Sequence, residues 1–286
     1  MNRLFSHFIP SWADVLYLML LFLFGALLGS LAATGLAAVI GEGFLKYQFL
    51  VSYPLQFVPM MLYAFLKSRR RSRLCAGVAL DSGHFSPFSP SSIALAVVVG
   101  TICCAVVLEP VGKLLPDMPE SLKALMKALS DGPLWSTLLC TAVMAPVCEE
   151  WLCRGMLMRG FLQRMKPVWA IVLSAAFFAL IHMNPWQALP AFVLGCLFGW
   201  VYYRTGSLKL TMLMHCANNA MSVLLTRLPG GEDAEYVSDF FANQTMYLVL
   251  YAACAAMLLL FLVRVRCIAP QRPDGSCDQI ESKSTE

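Results

Sequence analysis

The chain has 286 residues, of which 59% are hydrophobic and 13% are charged, and its mean hydropathy is +0.68. This composition is too apolar for a soluble globular domain and indicates a polytopic membrane protein. The formal net charge of +4 identifies no partner by itself, so the positions of the charges carry the information.

Eight apolar windows approach or exceed the length of about 20 residues that a transmembrane helix needs. In chain order they cover residues 15–40, 47–66, 93–111, 134–158, 168–183, 187–203, 208–228 and 245–263. The first window is longer than the apolar core of a secretory signal, so we interpret it as a retained helix. The expected fold class is therefore all-α, a polytopic membrane bundle of about eight transmembrane helices.

Basic residues follow the second, fourth, sixth and eighth windows, whose ends all lie on one side of the membrane. They are Lys67, Arg69, Arg70, Arg71, Arg73, Arg159, Arg164, Lys166, Arg204, Arg264 and Arg266. The positive-inside rule assigns this side to the cytoplasm, together with both termini. We interpret the cluster at 67–73 as a topology signal in contact with anionic lipid rather than as a nucleic-acid site. The expected location is the plasma membrane of a bacterium.

The sequence divides into four regions. Residues 1–132 contain three predicted membrane helices, a basic cytoplasmic loop and an amphipathic, interfacial helix near 116–131. Residues 133–228 form a core that holds all the unusual intramembrane polar residues. Residues 229–266 supply the last membrane helix, and the polar segment 267–286 is predicted to be a disordered cytoplasmic tail.

Two adjacent carboxylates, Glu149 and Glu150, lie inside the fourth apolar window. A buried carboxylate without a partner costs several kcal/mol, on the order of 2–7 for a polar group alone. Glu150 precedes Arg154 by four residues, the spacing at which helical side chains meet, so we predict an ion pair. Glu149 is rotated about 100° away on the helix and is left for a different partner.

Two later windows carry one histidine each, His182 and His215. A charged turn near 164–167 separates the Glu149 helix from the His182 helix, so an antiparallel hairpin would bring these two residues level. Phe178 lies one helical turn before His182, and Asn219 lies one turn after His215. An imidazole and a carboxamide on one helix face can together donate hydrogen bonds to an oxyanion.

Three motifs follow one another in this region: EExxxR at 149–154, FxxxH at 178–182 and HxxxN at 215–219. In this order the chain resembles the CPBP family of intramembrane proteases over residues 133–228. That family includes the type II CAAX prenyl endopeptidases, the lysostaphin-resistance-like proteins and the bacterial Abi proteins of bacteriocin maturation and immunity. Each motif alone is weak, whereas three in order are specific.

The resemblance implies an intramembrane endopeptidase in which Glu149 and His182 activate a water molecule. His215 and Asn219 would stabilise the oxyanion, while Glu150, Arg154 and Phe178 would support the site. The substrate would be a peptide or a membrane protein, for which prenylation is one option.

Metal dependence is left open by the sequence. Glu149, His182 and His215 could supply a zinc site of two histidines and one carboxylate with an open water position. The same residues could equally act without a metal, as an acid/base pair with oxyanion donors.

Three other functions remain as alternatives. Cys148, Cys153 and Cys216 flank the motifs and could pair with a histidine in a cysteine peptidase, although a thiol in apolar surroundings is inert. A non-catalytic immunity or scaffold protein could retain the same fold. An ion-coupled transporter would explain intramembrane carboxylates, but the sequence shows no internal repeat.

Overall fold

A computed structural model describes residues 2–72, 77–130, 132–231, 234 and 236–270. The main helices are α1 (Trp12–Ile40), α2 (Gln48–Arg71), α3 (Pro90–Gly112), α4 (Glu120–Ser130), α5 (134–162), α6 (Pro167–Leu180), α7 (Pro185–Thr205), α8 (Leu208–Leu225) and α9 (Gln244–Arg266). Short helical turns occupy Asn2–Phe5, Glu42–Tyr47 and Val237–Phe240. These described ranges contain no strand, so the predicted all-α fold is confirmed.

Among the described residues, four helical segments are long and apolar enough to cross a membrane by length and composition: Trp12–Ile40, Gly43–Arg71, Pro90–Gly112 and Gln244–Arg266. Helix α6 is apolar but shorter. Of the remaining predicted spans, the one at 134–158 contains the irregular part of α5, and the one at 208–228 carries the polar residues His215, Asn218 and Asn219. These helices support the predicted membrane bundle, and the number of eight spans stays a prediction.

The helix ends have local causes in the sequence. The Ser11 hydroxyl accepts a hydrogen bond from the backbone N–H of Asp14, and the Asp14 carboxylate accepts one from the backbone N–H of Ser11, so α1 begins with a capping box. Ser207 and Asn243 cap α8 and α9 in the simpler way. Gly206 ends α7 with a positive φ of 62°, which glycine adopts without steric cost.

Helix α5 is irregular on both sides of the adjacent carboxylates. Residues Leu138–Met144 and Trp151–Met158 form wide π-helical turns, and the α-helical segment Ala145–Glu150 lies between them. Pro146 contributes to the first of these distortions, because it has no N–H to donate to the preceding turn. Such π-helical turns occur frequently at functional sites.

Helix α5 packs among helices from both halves of the chain: α2 on one side, and α6 and α8 on the others. Helix α1 lies against α2, α6 and α7 form a hairpin, and α3 packs against α8 and α9. This arrangement surrounds the adjacent carboxylates with α2, α6, α7 and α8.

The end of α5 that precedes the α6 hairpin is sealed by packing. Every residue from Glu149 to Phe161 is buried. The guanidinium of Arg159 donates hydrogen bonds to the carbonyl oxygens of Phe5, Phe8 and Val78, so the N-terminal segment covers this end of the helix.

Two predictions fall partly outside the described residues. The predicted tail at 267–286 is described only as far as residue 270. Arg73 of the basic cluster also lies outside the described residues. The division into four regions is not tested by the fold and remains a prediction.

Candidate active site

Glu150 and Arg154 form a fully buried ion pair on α5. Arg154 Nη1 donates to Glu150 Oε1 at 2.6 Å, and both side chains are 0% exposed. The structure therefore contains the ion pair that their spacing predicts. A charge-assisted hydrogen bond of this length is among the stronger polar contacts in proteins.

Arg154 also joins α5 to the α6–α7 hairpin. Its Nη2 donates to the carbonyl oxygen of Gly195 on α7 at 2.8 Å. The guanidinium carbon lies 4.8 Å from the ring centre of Phe178 and 5.5 Å from that of Phe198. The buried guanidinium thus makes cation–π contacts with two aromatic rings.

His215 on α8 lies between the two carboxylates. Its Nδ1 is 3.2 Å from Glu150 Oε1, and its Nε2 is 3.9 Å from Glu149 Oε2. A carboxylate oxygen accepts, so Nδ1 of His215 carries the hydrogen and donates it to the Glu150 oxygen that Arg154 also binds. The edges and faces of Phe178 and Phe198 enclose the imidazole, with ring centres 5.3 and 5.7 Å away.

The two adjacent carboxylates have different surroundings. Glu149 accepts a hydrogen bond at Oε1 from the hydroxyl of Tyr53 on α2, while its Oε2 accepts none from the described residues. Glu149 is 8% exposed and Glu150 is 0% exposed. Glu149 therefore retains one oxygen that can accept a proton from a bound reactant.

His182 lies just beyond the last residue of α6, in the turn that leads to α7. Its Nδ1 is 2.8 Å from the carbonyl oxygen of Phe178, and the two rings pack edge to face with centres 5.0 Å apart. A carbonyl only accepts, so Nδ1 carries the hydrogen and Nε2 of the neutral ring is an acceptor.

Glu149 and His182 do not form the direct pair that the hairpin argument predicts. No hydrogen bond or ion pair joins these two described residues, and the imidazole that reaches Glu149 is that of His215. A hairpin that brings these two residues level needs regular helices on both sides of the turn. Helix α5 instead contains two π-helical stretches, and α6 ends at Leu180. Phe178 connects the two imidazoles, because its ring contacts both.

The asparagines on α8 form a short chain of hydrogen bonds. Asn218 Nδ2 donates to Asn219 Oδ1 at 3.1 Å, and Asn219 Nδ2 donates to the carbonyl oxygen of Thr141 on α5 at 2.9 Å. Each amide nitrogen carries two hydrogens, so Asn219 retains a second donor. Both side chains are half-buried.

The predicted zinc ligands are not gathered into one ligand set. Within the described residues, no group of three or more His, Cys, Asp or Glu side chains is placed to hold a metal ion. Glu149 and His215 approach each other, but His182 is oriented by the Phe178 carbonyl instead. As arranged, Glu149, His182 and His215 do not fit a zinc site.

Sequence reasoning missed three contributors to the site: Tyr53, Gly195 and Phe198. Tyr53 precedes the first of the three motifs, at 149–154, by almost a hundred residues. It lies near the start of the predicted span 47–66, where a tyrosine resembles an ordinary interfacial residue. Phe198 and Gly195 resemble the packing residues of any apolar helix. No signal in a single sequence separates them from their neighbours.

The three cysteines near the motifs make no contact of the kind a cysteine peptidase needs. Cys148, Cys153 and Cys216 are free thiols, and no hydrogen bond in the described part of the chain joins any of them to a histidine. The backbone carbonyl of Cys153 instead accepts from the hydroxyl of Ser174 at 2.9 Å.

Comparison with known families identifies the region that contains this site. Residues 131–221 match the family described as type II CAAX prenyl endopeptidase Rce1-like. No curated protein and no solved structure matches the chain. The matched region contains Glu149, Glu150, Arg154, His182 and His215, and it excludes Tyr53. The family expected from the three motifs is confirmed over the matched region: residues 131–221 are similar to the Rce1-like family of type II CAAX prenyl endopeptidases.

Proposed function

We propose that the chain is an intramembrane endopeptidase that hydrolyses a peptide bond with a water molecule activated by Glu149. The observation that carries this proposal is the position of Glu149. It is buried, Tyr53 holds one of its oxygens, and the other oxygen faces His215 with no hydrogen-bond donor among the described residues. A carboxylate with one free oxygen beside an imidazole is suited to general acid and base catalysis.

Hydrolysis would proceed by proton transfer through Glu149. Its Oε2 takes a proton from water while the water oxygen bonds to the peptide carbonyl carbon, giving a tetrahedral oxyanion. The protonated carboxyl then gives that proton to the amide nitrogen as the C–N bond breaks. The products are a carboxylic acid and an amine, and Glu149 returns to its starting state.

In this proposal, His215 and Asn219 stabilise the oxyanion. A protonated His215 donates from Nδ1 to Glu150 and from Nε2 toward the Glu149 side, where the oxyanion forms. Asn219 adds its second amide hydrogen.

Glu150, Arg154, Phe178 and His182 have supporting and secondary roles in this proposal. Glu150 and Arg154 fix the orientation of His215 and connect α5 to α7. Phe178 packs between the imidazoles. His182, with Nε2 as a proton acceptor, assists Glu149 once a substrate has filled the space beside the Phe178 ring.

The proposed mechanism uses only the side chains of the chain. If zinc is required, Glu149 and His215 would be two of its donors, and His182 would have to leave its bond to the Phe178 carbonyl to become the third. Zinc would supply a more acidic bound water. The effect of a chelator therefore tests the cofactor requirement separately from the role of Glu149.

The experiment is peptide cleavage by the purified chain in detergent, with a mixed peptide library that includes farnesylated and unprenylated CAAX peptides. Wild type is compared with Glu149→Gln, which retains the shape of the side chain and removes the base. The matched control is Glu109→Gln, because Glu109 is a buried carboxylate on α3 whose partners are Tyr247 and the turn at Val237–Phe240.

Cleavage by wild type and the control, with loss in Glu149→Gln, is the expected result. Loss of activity after thiol alkylation would instead favour the cysteine peptidase. A folded chain that cleaves nothing while a Glu149→Gln strain keeps its biological phenotype would favour the non-catalytic immunity or scaffold protein.

A further inference from the structure

The two sides of Glu149 along α5 differ in packing. From Glu149 to Phe161 every residue is buried, and the eight residues from Trp151 to Met158 include the largest buried side chains of the core. Phe8, Met60 and Leu80 pack against this stretch and are at most 1% exposed. A polypeptide could reach Glu149 from this end only by displacing the core of the molecule.

Three arginines close this sealed end further. Arg159 donates to the carbonyls of Phe5 and Phe8, Arg164 donates to that of Pro10 at 2.9 Å, and Arg71 donates to that of Ile9 at 3.2 Å. Gly160 lies so close to Pro10 that an added Cβ would be 2.8 Å from the Pro10 oxygen. The N-terminal segment is therefore fixed across the end of α5.

The other side of Glu149 is open by comparison. Tyr53, Thr141, His182 and Asn219 are all half-buried. Residues 216–221 of α8 are likewise half-exposed, whereas Met214 and His215 just before them are buried. The polar side chains that would meet a substrate thus lie between the level of Glu149 and the level of Leu134, the first residue of α5.

The rim of this open side consists of loops and the first turn of α7. Trp186 donates from its indole nitrogen to the Pro116 oxygen at 2.6 Å, and Arg227 donates to the Gly132 oxygen at 2.9 Å. These loops belong to the side of the bundle away from Arg71, Arg159 and Arg164. By the positive-inside rule, the sealed end faces the cytoplasm and the open end faces away from it.

We infer that the site admits a membrane-anchored polypeptide whose scissile bond lies in the half of the membrane away from the cytoplasm. This inference rests on the proposed function and specifies its substrate class. The substrate is a chain that already crosses or has been exported through the membrane. A peptide that ends in the cytoplasm would instead have to approach the sealed end.

The first test measures access without any need for activity. In a Thr141→Cys variant of the full chain, a charged, membrane-impermeant thiol reagent is applied to intact cells and to inverted membrane vesicles, and labelled cysteines are identified by mass spectrometry. Cys267, exposed at the end of α9 on the sealed side, is the natural internal control.

We expect Thr141→Cys to be labelled in intact cells and Cys267 only in inverted vesicles. The opposite pattern would overturn the inference, and so would a failure to label Thr141→Cys from either side. The fully buried Cys153 should stay unlabelled in both preparations and thereby reports that the core is intact.

The second test locates the cleaved bonds. New polypeptide ends are mapped by mass spectrometry in membranes of cells that carry the wild type or Glu149→Gln, together with the topology of each cleaved protein. Ends that depend on Glu149 and lie in the non-cytoplasmic half are expected. Ends on the cytoplasmic side would overturn the inference while leaving the protease intact. If no end depends on Glu149, the proposed function itself fails, and the labelling result still decides the direction of access.

Discussion

Glu149 and Glu150 are neighbours in sequence, yet α5 directs them to different partners. Glu150 is bound by Arg154 and His215, and Glu149 by Tyr53 from the other half of the chain. The first environment holds Glu150 between two basic side chains, and the second leaves the slightly exposed Glu149 facing the imidazole of His215. The proposed function assigns the catalytic role to Glu149 because of this difference.

Tyr53 is expected to orient Glu149. In Tyr53→Phe the carboxylate loses one hydrogen bond, so kcat should fall about tenfold, which corresponds to about 1.4 kcal/mol, with little change in KM. The matched control is Tyr63→Phe, because Tyr63 is on the same helix but donates to Asp14 at 2.5 Å. The control should retain the wild-type rate.

A double variant distinguishes orientation from general stability. If Tyr53 acts through Glu149, adding Tyr53→Phe to Glu149→Gln should cost almost nothing further in residual activity. A tenfold loss in both backgrounds would assign Tyr53 to structure alone.

Arg154 is expected to be essential for stability. In Arg154→Met the Glu150 carboxylate keeps only its contact with His215, so the free energy of unfolding should fall by about 3–5 kcal/mol. The double variant Glu150→Gln with Arg154→Met should recover much of that loss, since no unpaired charge remains buried. Thermal unfolding in detergent measures both. An Arg154→Met variant as stable as wild type would contradict the buried ion pair.

At the scale of helices, α1 sets the position of Tyr53. Gly25 and Gly29 lie four residues apart on α1, and an added Cβ would be 2.1 Å from the Gln56 oxygen and 2.4 Å from the Ser52 oxygen. These two residues of α2 flank Tyr53. Small residues at this spacing allow membrane helices to approach closely.

Gly29→Ala is therefore expected to reduce activity from a distance. The methyl group forces α2 away from α1 and alters the Tyr53 contact with Glu149, so kcat should fall several-fold. Gly35→Ala on the same helix is the control, because a Cβ there meets nothing within 4 Å. Equal activity of the two variants would show that the α1–α2 contact does not position the site.

The sequence predicts some of these elements better than others. Local spacing correctly indicates the Glu150–Arg154 pair and the Phe178–His182 contact, because both depend on one turn of helix. It does not predict the π-helical turns of α5, which shift the register between Glu149 and His182. Nor does it predict Tyr53, because long-range pairing depends on how α2 packs against α5.

At the scale of the whole molecule, the apolar composition predicts the membrane bundle but not the sealed end. The sealing comes from the N-terminal segment, whose carbonyl groups are bound by arginines from distant parts of the chain. The same arginines appear in the sequence only as a topology signal. Their second role depends on tertiary contacts that composition does not contain.

Both termini are expected on the cytoplasmic side. A reporter enzyme that is active only in the cytoplasm should work when fused to either end, because the basic residues follow the even-numbered predicted spans. A reporter fused within the 230–239 loop should be inactive. Activity at one terminus only would require an odd number of spans and would contradict the predicted topology.

The proposed role of Glu149 is tested by the kcat of Glu149→Gln on the peptide that the wild type cleaves best, with folding verified by thermal unfolding. A general base of this kind contributes about 10²–10⁴-fold. We expect kcat to fall by a factor within that range while the stability stays unchanged. A folded Glu149→Gln protein that cleaves at the wild-type rate would show that Glu149 does not activate the water.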